Sequence, residues 1–146
     1  MNTLNIAIGE RPLLEAPVGV HCILELYQCS PALLNDPAYI ESAVEQASQQ
    51  AQSTLLKMFA HQFEPQGVTA IALLAESHLS IHTWPERGYA AVDIFTCGEH
   101  TEPQLACEFL ARHLGAERHL LSVVSRGGRI TKHLPIPVQT ESPLCL

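Results

Sequence analysis

The sequence predicts an α+β fold: a two-layer sandwich with a mostly antiparallel sheet and two helices on one face, in the order β-α-β-β-β-α-β. Three observations predict it. Residues 18–28 alternate as a strand, with Val20, Cys22, Leu24 and Leu26 on one face. Apolar residues then recur at steps of three or four through Ile40, Val44, Ala47, Ala51, Leu55 and Met58, the period of an amphipathic helix. Three β-type runs follow in quick succession at 68–75, 78–84 and 89–97, separated by turn signals.

The first helix opens at Asn35-Asp36-Pro37, a capping side chain followed by proline in the first turn. A short segment ending at Phe63 meets the turn Glu64-Pro65-Gln66-Gly67. Strands rarely run much beyond about 10 residues, so the first reversal among the β-type runs falls at Glu76-Ser77. Pro85-Glu86-Arg87-Gly88 makes the second. Thr101-x-x-Gln104 resembles a capping box, with Pro103 in the first turn of a helix that carries Leu105, Phe109 and Leu110 and stops at Gly115. A last strand, 118–125, closes at Arg126-Gly127-Gly128-Arg129. Residues 1–17 read as a lead segment, and 131–146, with Pro135, Pro137 and Pro143, as an irregular tail. Helices on one sheet face leave the other in need of cover, which predicts a homodimer.

The 146 residues fit one domain, 1–146, large enough to bury a core without disulfides or metals. Apolar content of 47% against 16% charged residues excludes a disordered chain. The net charge of −7, with eight Lys and Arg in no run, excludes a nucleic-acid partner and favours a cationic small molecule. No basic and apolar leader opens the chain, and no stretch approaches the roughly 20 apolar residues of a membrane helix. A cytoplasmic protein with no membrane partner is expected. Five cysteines, an odd number without a CxxC pair, argue for reduced thiols over a disulfide framework or structural zinc.

The chemistry concentrates in Glu76-Ser-His-Leu-Ser-Ile-His-Thr-Trp-Pro-Glu86 and Gly88-Tyr-Ala-Ala-Val-Asp-Ile-Phe-Thr-Cys-Gly98. A serine at a tight reversal can attack the preceding carbonyl, exchanging the Glu76–Ser77 amide for an ester, although serine in a turn is more often a turn former. His78, Ser80 and His82 share one face of a strand, where His82 is either a base or a half-exposed strand histidine. His78 and His82 make no metal site, because four strand residues span about 13 Å and zinc ligands sit about 2 Å from the ion. Cys97, beside Gly98, is either a packed small side chain or a reactive thiol. Taken singly, Glu86 reads as a solvated turn charge and Phe63 as core.

Together the two blocks resemble the prokaryotic S-adenosylmethionine decarboxylases of the small, pyruvoyl-dependent type, from Gly19-Val20-His21 to the strand near residue 125. The resemblance implies self-cleavage into 1–76 and 77–146, with Ser77 attacking Glu76 and becoming a pyruvoyl cofactor that forms a Schiff base with S-adenosylmethionine. It implies that His82 and Thr69 serve cleavage, that Cys97 returns a proton after carbon dioxide leaves, and that Phe63 and Glu86 hold the adenosyl group. The product would be the aminopropyl donor for spermidine synthesis, made by a homodimer. Two positions depart from the family pattern. Thr69 stands where serine is expected, and Arg87 puts a cation beside Glu86, which keeps open arginine or ornithine as substrate. An uncleaved non-catalytic homologue and a hydrolase using Cys97 with His82 are the other readings.

Overall fold

The computed structural model describes residues 16–128, so the lead segment before residue 16 and the tail from 129 onward lie outside the described residues. Among the described residues six strands and three α-helices follow in the order β1 (Gly19–Tyr27), α1 (Pro31–Leu34), α2 (Pro37–Gln50), β2 (Leu55–Gln62), β3 (Val68–Leu74), β4 (Ser77–Trp84), β5 (Tyr89–Cys97), α3 (Pro103–His113) and β6 (Arg118–Arg126), with one 3-10 turn, Pro85–Arg87, between β4 and β5. The strands form one sheet, ordered β2-β3-β4-β5-β1-β6, with every neighbouring pair antiparallel. The α+β two-layer sandwich expected from the sequence is the architecture found.

Strand alternation builds the core. Leu24 and Leu26 of β1, Leu79 and Ile81 of β4 and Ile94 of β5 are buried with Ile40 and Val44 of α2 and Leu110 of α3. The opposite sheet face carries Thr69, His78, His82 and Asp93, all half-buried, among exposed apolar side chains.

Two expectations need correction. The helix read through Met58 ends at Gln50. Gln52 takes φ 55°, its N–H bonds the Gln49 carbonyl, and the Ser53 N–H bonds the Ser48 carbonyl, a left-handed stop. Leu55 and Met58 belong instead to β2, an added strand at the sheet edge; both lie in phase with α2, so a short apolar run there carries either reading. The capping box at Thr101 is also absent. Thr101 bonds the Gly98 carbonyl and the Thr96 hydroxyl, and Glu102 occupies the cap position. Asp36 does cap α2, accepting the Tyr39 N–H at 3.1 Å.

Candidate active site

Strands β3 and β4 join through a two-residue turn, Ala75–Glu76, with Leu74 paired to Ser77 across it. Ser77 therefore follows directly on the turn, and its φ is 150°. Side-chain-bearing residues rarely adopt that conformation, and holding one there costs about 1–3 kcal/mol. The preceding carbonyl is gripped from β5. The Glu76 oxygen accepts the Cys97 N–H at 3.0 Å and the Cys97 thiol at 3.1 Å. Two donors on one carbonyl oxygen are placed to stabilise negative charge developing there.

The Glu76 side chain fixes the turn from the other side. Its carboxylate accepts the Thr54 N–H at 2.9 Å and lies 3.4 Å from His100 Nε2. Burial would push this carboxyl up, but the backbone N–H groups and His100 hold it below its ordinary value.

Beside this junction, Asp93 of β5 gathers three side chains. His21 Nε2 and His78 Nε2 each lie 2.8 Å from Asp93 Oδ2, and the Ser80 hydroxyl donates to Oδ1. Burial would raise the Asp93 carboxyl; the bonds from Ser80, His21 and His78 keep it below its ordinary value. His21, His78 and Asp93 are also the described side chains close enough together to share a cation, their ligand atoms lying within 4.8 Å of one another. His78 Nδ1 sits 3.3 Å from Ser77 Oγ.

The other end of β4 opens a second feature. Phe63, Thr69, His82, Trp84 and Glu86 line a cleft of about 420 Å³. Thr69 pairs with His82 across β3 and β4, and its hydroxyl lies 2.8 Å from His82 Nδ1, fixing the ring. Phe63 is 48% exposed, leaving part of its surface free for a ligand. Arg87, read as a cation beside Glu86 in the site, does not line this cleft. It turns to a shallow hollow shared with Tyr27 and Tyr89.

The residues singled out in the sequence thus fall into two groups. Glu76, Ser77 and Cys97 come together; Phe63, Thr69, His82 and Glu86 come together elsewhere. Five residues of extended strand put His82 about 16 Å from Ser77 within one chain. Ala91 faces His82 across the ladder, and six residues of β5 put Cys97 about 20 Å further along, so one chain builds no Cys97–His82 pair. His21, His100 and Asp93 were missed by sequence reasoning. Asp93 did carry a signal, as the one charge inside the run Tyr89–Cys97. His21 carried none.

The geometry has counterparts among known proteins. A family profile described as S-adenosylmethionine decarboxylase matches residues 20–127. The S-adenosylmethionine decarboxylase proenzyme of Prochlorococcus marinus (strain MIT 9313) is 60% identical over 109 residues, 75% of this chain and 87% of that protein. The proenzyme of the same name from Pseudomonas paraeruginosa is 39% identical over 134 residues, 86% of this chain and 84% of that one. The crystal structure of the adenosylmethionine decarboxylase from Aquifex aeolicus VF5 superposes with a TM-score of 0.73 at 32% identity, covering 83% of this chain and 99% of its own.

Proposed function

The chain belongs to the S-adenosylmethionine decarboxylase family, and we propose that it decarboxylates S-adenosylmethionine with a pyruvoyl group made from its own Ser77. The observation that carries the proposal is the Glu76–Ser77 junction, where a strained serine follows a carbonyl held by two donors of Cys97. Attack of Ser77 Oγ on the Glu76 carbonyl carbon replaces the amide by an ester and frees the Ser77 amine. Removal of the Ser77 α-proton breaks the Cβ–O bond of the ester, releases Glu76 with a new C-terminal main-chain carboxylate and leaves a dehydroalanine at 77. Addition of water and loss of ammonia complete the pyruvoyl group, giving chains 1–76 and 77–146.

That group supplies a carbonyl able to condense with the substrate amine and take up the electrons released when carbon dioxide departs. Cys97, already at the junction, is placed to return a proton to the substrate α-carbon. Phe63 offers a face for the adenine, and Glu86 a carboxylate for the ribose hydroxyls. With Arg87 outside the cleft, nothing there favours arginine or ornithine over the adenosyl substrate.

The about 16 Å between His82 and Ser77 has a direct consequence: His82 and Thr69 serve the cleavage junction from a second copy of the chain. The apolar side chains Ile23, Phe59, Ile71, Leu73, Leu120 and Val124 are exposed on the described protomer, and Phe59 faces Ile71 across β2 and β3. A second sheet laid on that surface covers them and brings each cleft to the other copy's Ser77. Among the described residues no helix is long and apolar enough to cross a membrane, and Cys22, Cys29, Cys97 and Cys107 are free thiols. Free thiols of that number suit a reducing compartment, and on them we place the enzyme in the cytoplasm.

Intact-mass measurement of purified protein tests the proposal. Wild-type protein gives two chains, the second blocked by pyruvoyl, and releases carbon dioxide from S-adenosylmethionine. Ser77→Ala stays as one chain and releases none. A single unmodified wild-type chain, or turnover by Ser77→Ala, refutes the assignment.

A further inference from the structure

We propose that His78 is the base that takes the Ser77 hydroxyl proton, with Asp93 positioning it, and that this step is distinct from the one His82 serves. The inference rests on the reading of Ser77 as the self-cleaving residue and adds the group that starts the reaction.

Hydrogen-bond logic fixes the imidazole. Asp93, its carboxyl held below the ordinary value, is ionised and only accepts. His78 Nε2, 2.8 Å from Asp93 Oδ2, therefore carries the hydrogen. In the neutral ring that leaves the lone pair on Nδ1, the atom 3.3 Å from Ser77 Oγ. His21 supports the arrangement: its Nε2 donates to the same carboxylate oxygen, and Arg126 donates to its Nδ1 at 3.3 Å. The charged and titratable groups that face His78 are Asp93 of β5 and His21 of β1; Arg126 of β6 lies one step further, against His21 and over the Phe95 ring, and the neighbour on β3 is the apolar Leu73.

The step balances within these groups. Ser77 Oγ bonds the Glu76 carbonyl carbon while its proton passes to His78 Nδ1. The oxyanion stays under the Cys97 N–H and thiol. As the Glu76 C–N bond breaks, His78 Nδ1 returns the proton to the Ser77 nitrogen, giving ester and free amine with no net proton gained or lost. His82, remote from Ser77 in its own chain, is left the later removal of the Ser77 α-proton.

Hydroxylamine separates the two steps, because it cuts an ester and spares an amide. Full-length chains made by cell-free synthesis are sampled over time, with and without hydroxylamine, and weighed intact. His78→Ala should slow cleavage at least about 100-fold, remain resistant to hydroxylamine, and regain cleavage in proportion to added imidazole. His82→Ala should instead accumulate a hydroxylamine-sensitive ester. Asp93→Asn should slow cleavage alone but add nothing on top of His78→Ala, whereas a merely structural Asp93 would slow both. His78→Asn keeps a polar side chain without a base, and circular dichroism confirms that each variant folds. Wild-type cleavage rates in folded His78→Asn, or a trapped ester in His78→Ala, overturn the role of His78 while leaving Ser77 standing. A wild-type chain that never cleaves overturns both.

Discussion

Cys97 holds the Glu76 carbonyl oxygen twice, through its backbone N–H at 3.0 Å and its thiol at 3.1 Å. One residue thereby reaches both reactions proposed for the site: the cleavage at its backbone and side chain, the decarboxylation at its side chain alone.

Cys97→Ala should therefore still cleave. The N–H donor survives and the thiol is a weak one, so the slowing should stay below the about 100-fold that loss of a strong oxyanion donor costs. Turnover should then fail progressively, because a proton delivered to the former pyruvoyl carbon, followed by hydrolysis of the imine, leaves the substrate nitrogen on residue 77 as an alanine-like amine and releases an aldehyde. Mass measurement of residue 77 before and after substrate exposure reads this directly. Full, sustained activity in the variant returns Cys97 to the role of a packed small side chain.

A composite site predicts complementation. Ser77→Ala and His82→Ala proteins, each uncleaved alone, should yield cleaved His82→Ala chains when unfolded together and refolded as a mixture. In the mixed dimer one junction has Ser77 from one copy and His82 from the other. Failure of the mixture to cleave, with dimers confirmed by sedimentation, places both residues in one chain's reaction.

Phe63→Ala should leave cleavage intact and raise KM for S-adenosylmethionine by about 2- to 10-fold, the value of one aromatic stacking contact. Steady-state kinetics on the cleaved protein checks it. An unchanged KM would remove Phe63 from the adenine face.

Burial, and then the hydrogen bond it donates to Glu25, push the Tyr89 hydroxyl from its ordinary 10 to about 12. A raised folded-state value means that the neutral phenol is favoured by folding. Its contribution to stability is whole below about pH 10 and is lost as pH rises toward about 12. Phenolate absorbance of the folded protein should show a phase near pH 12, and Tyr89→Phe should abolish it. A phase near pH 12 that persists in Tyr89→Phe would contradict it.

Much of this architecture is local and so is legible in sequence. The Asp36-Pro37 cap, the alternation of β1 and the turn before Ser77 each depend on neighbours within a few residues. Strand β2 was not legible, because Leu55 and Met58 continue the helical phase and only Gln52 at φ 55° breaks it. At the site, Ser77, Glu76 and Cys97 could be found by motif, and the strand read at 78–84 already carried the separation of His82 from Ser77. What the sequence did not carry was the Asp93 cluster beside Ser77. The His21–Asp93 contact spans 72 residues and exists because β1 inserts between β5 and β6. Register of that kind leaves no mark on local periodicity.

The strand order has a consequence for the molecule that the proposed cleavage would leave. Cutting at Glu76–Ser77 assigns β1, β2 and β3 to one piece and β4, β5 and β6 to the other, yet the sheet runs β2-β3-β4-β5-β1-β6. The pieces are interleaved, with β1 locked between two strands of its counterpart. Separating them means opening the β3–β4, β5–β1 and β1–β6 ladders together, so the nicked protein should hold together as tightly as the intact one while folded. Once unfolded, the two differ in kind. An uncut chain refolds as a first-order process, whereas a chain cut at that bond would have to find its missing half in solution, and its recovery from heat would become a matter of concentration.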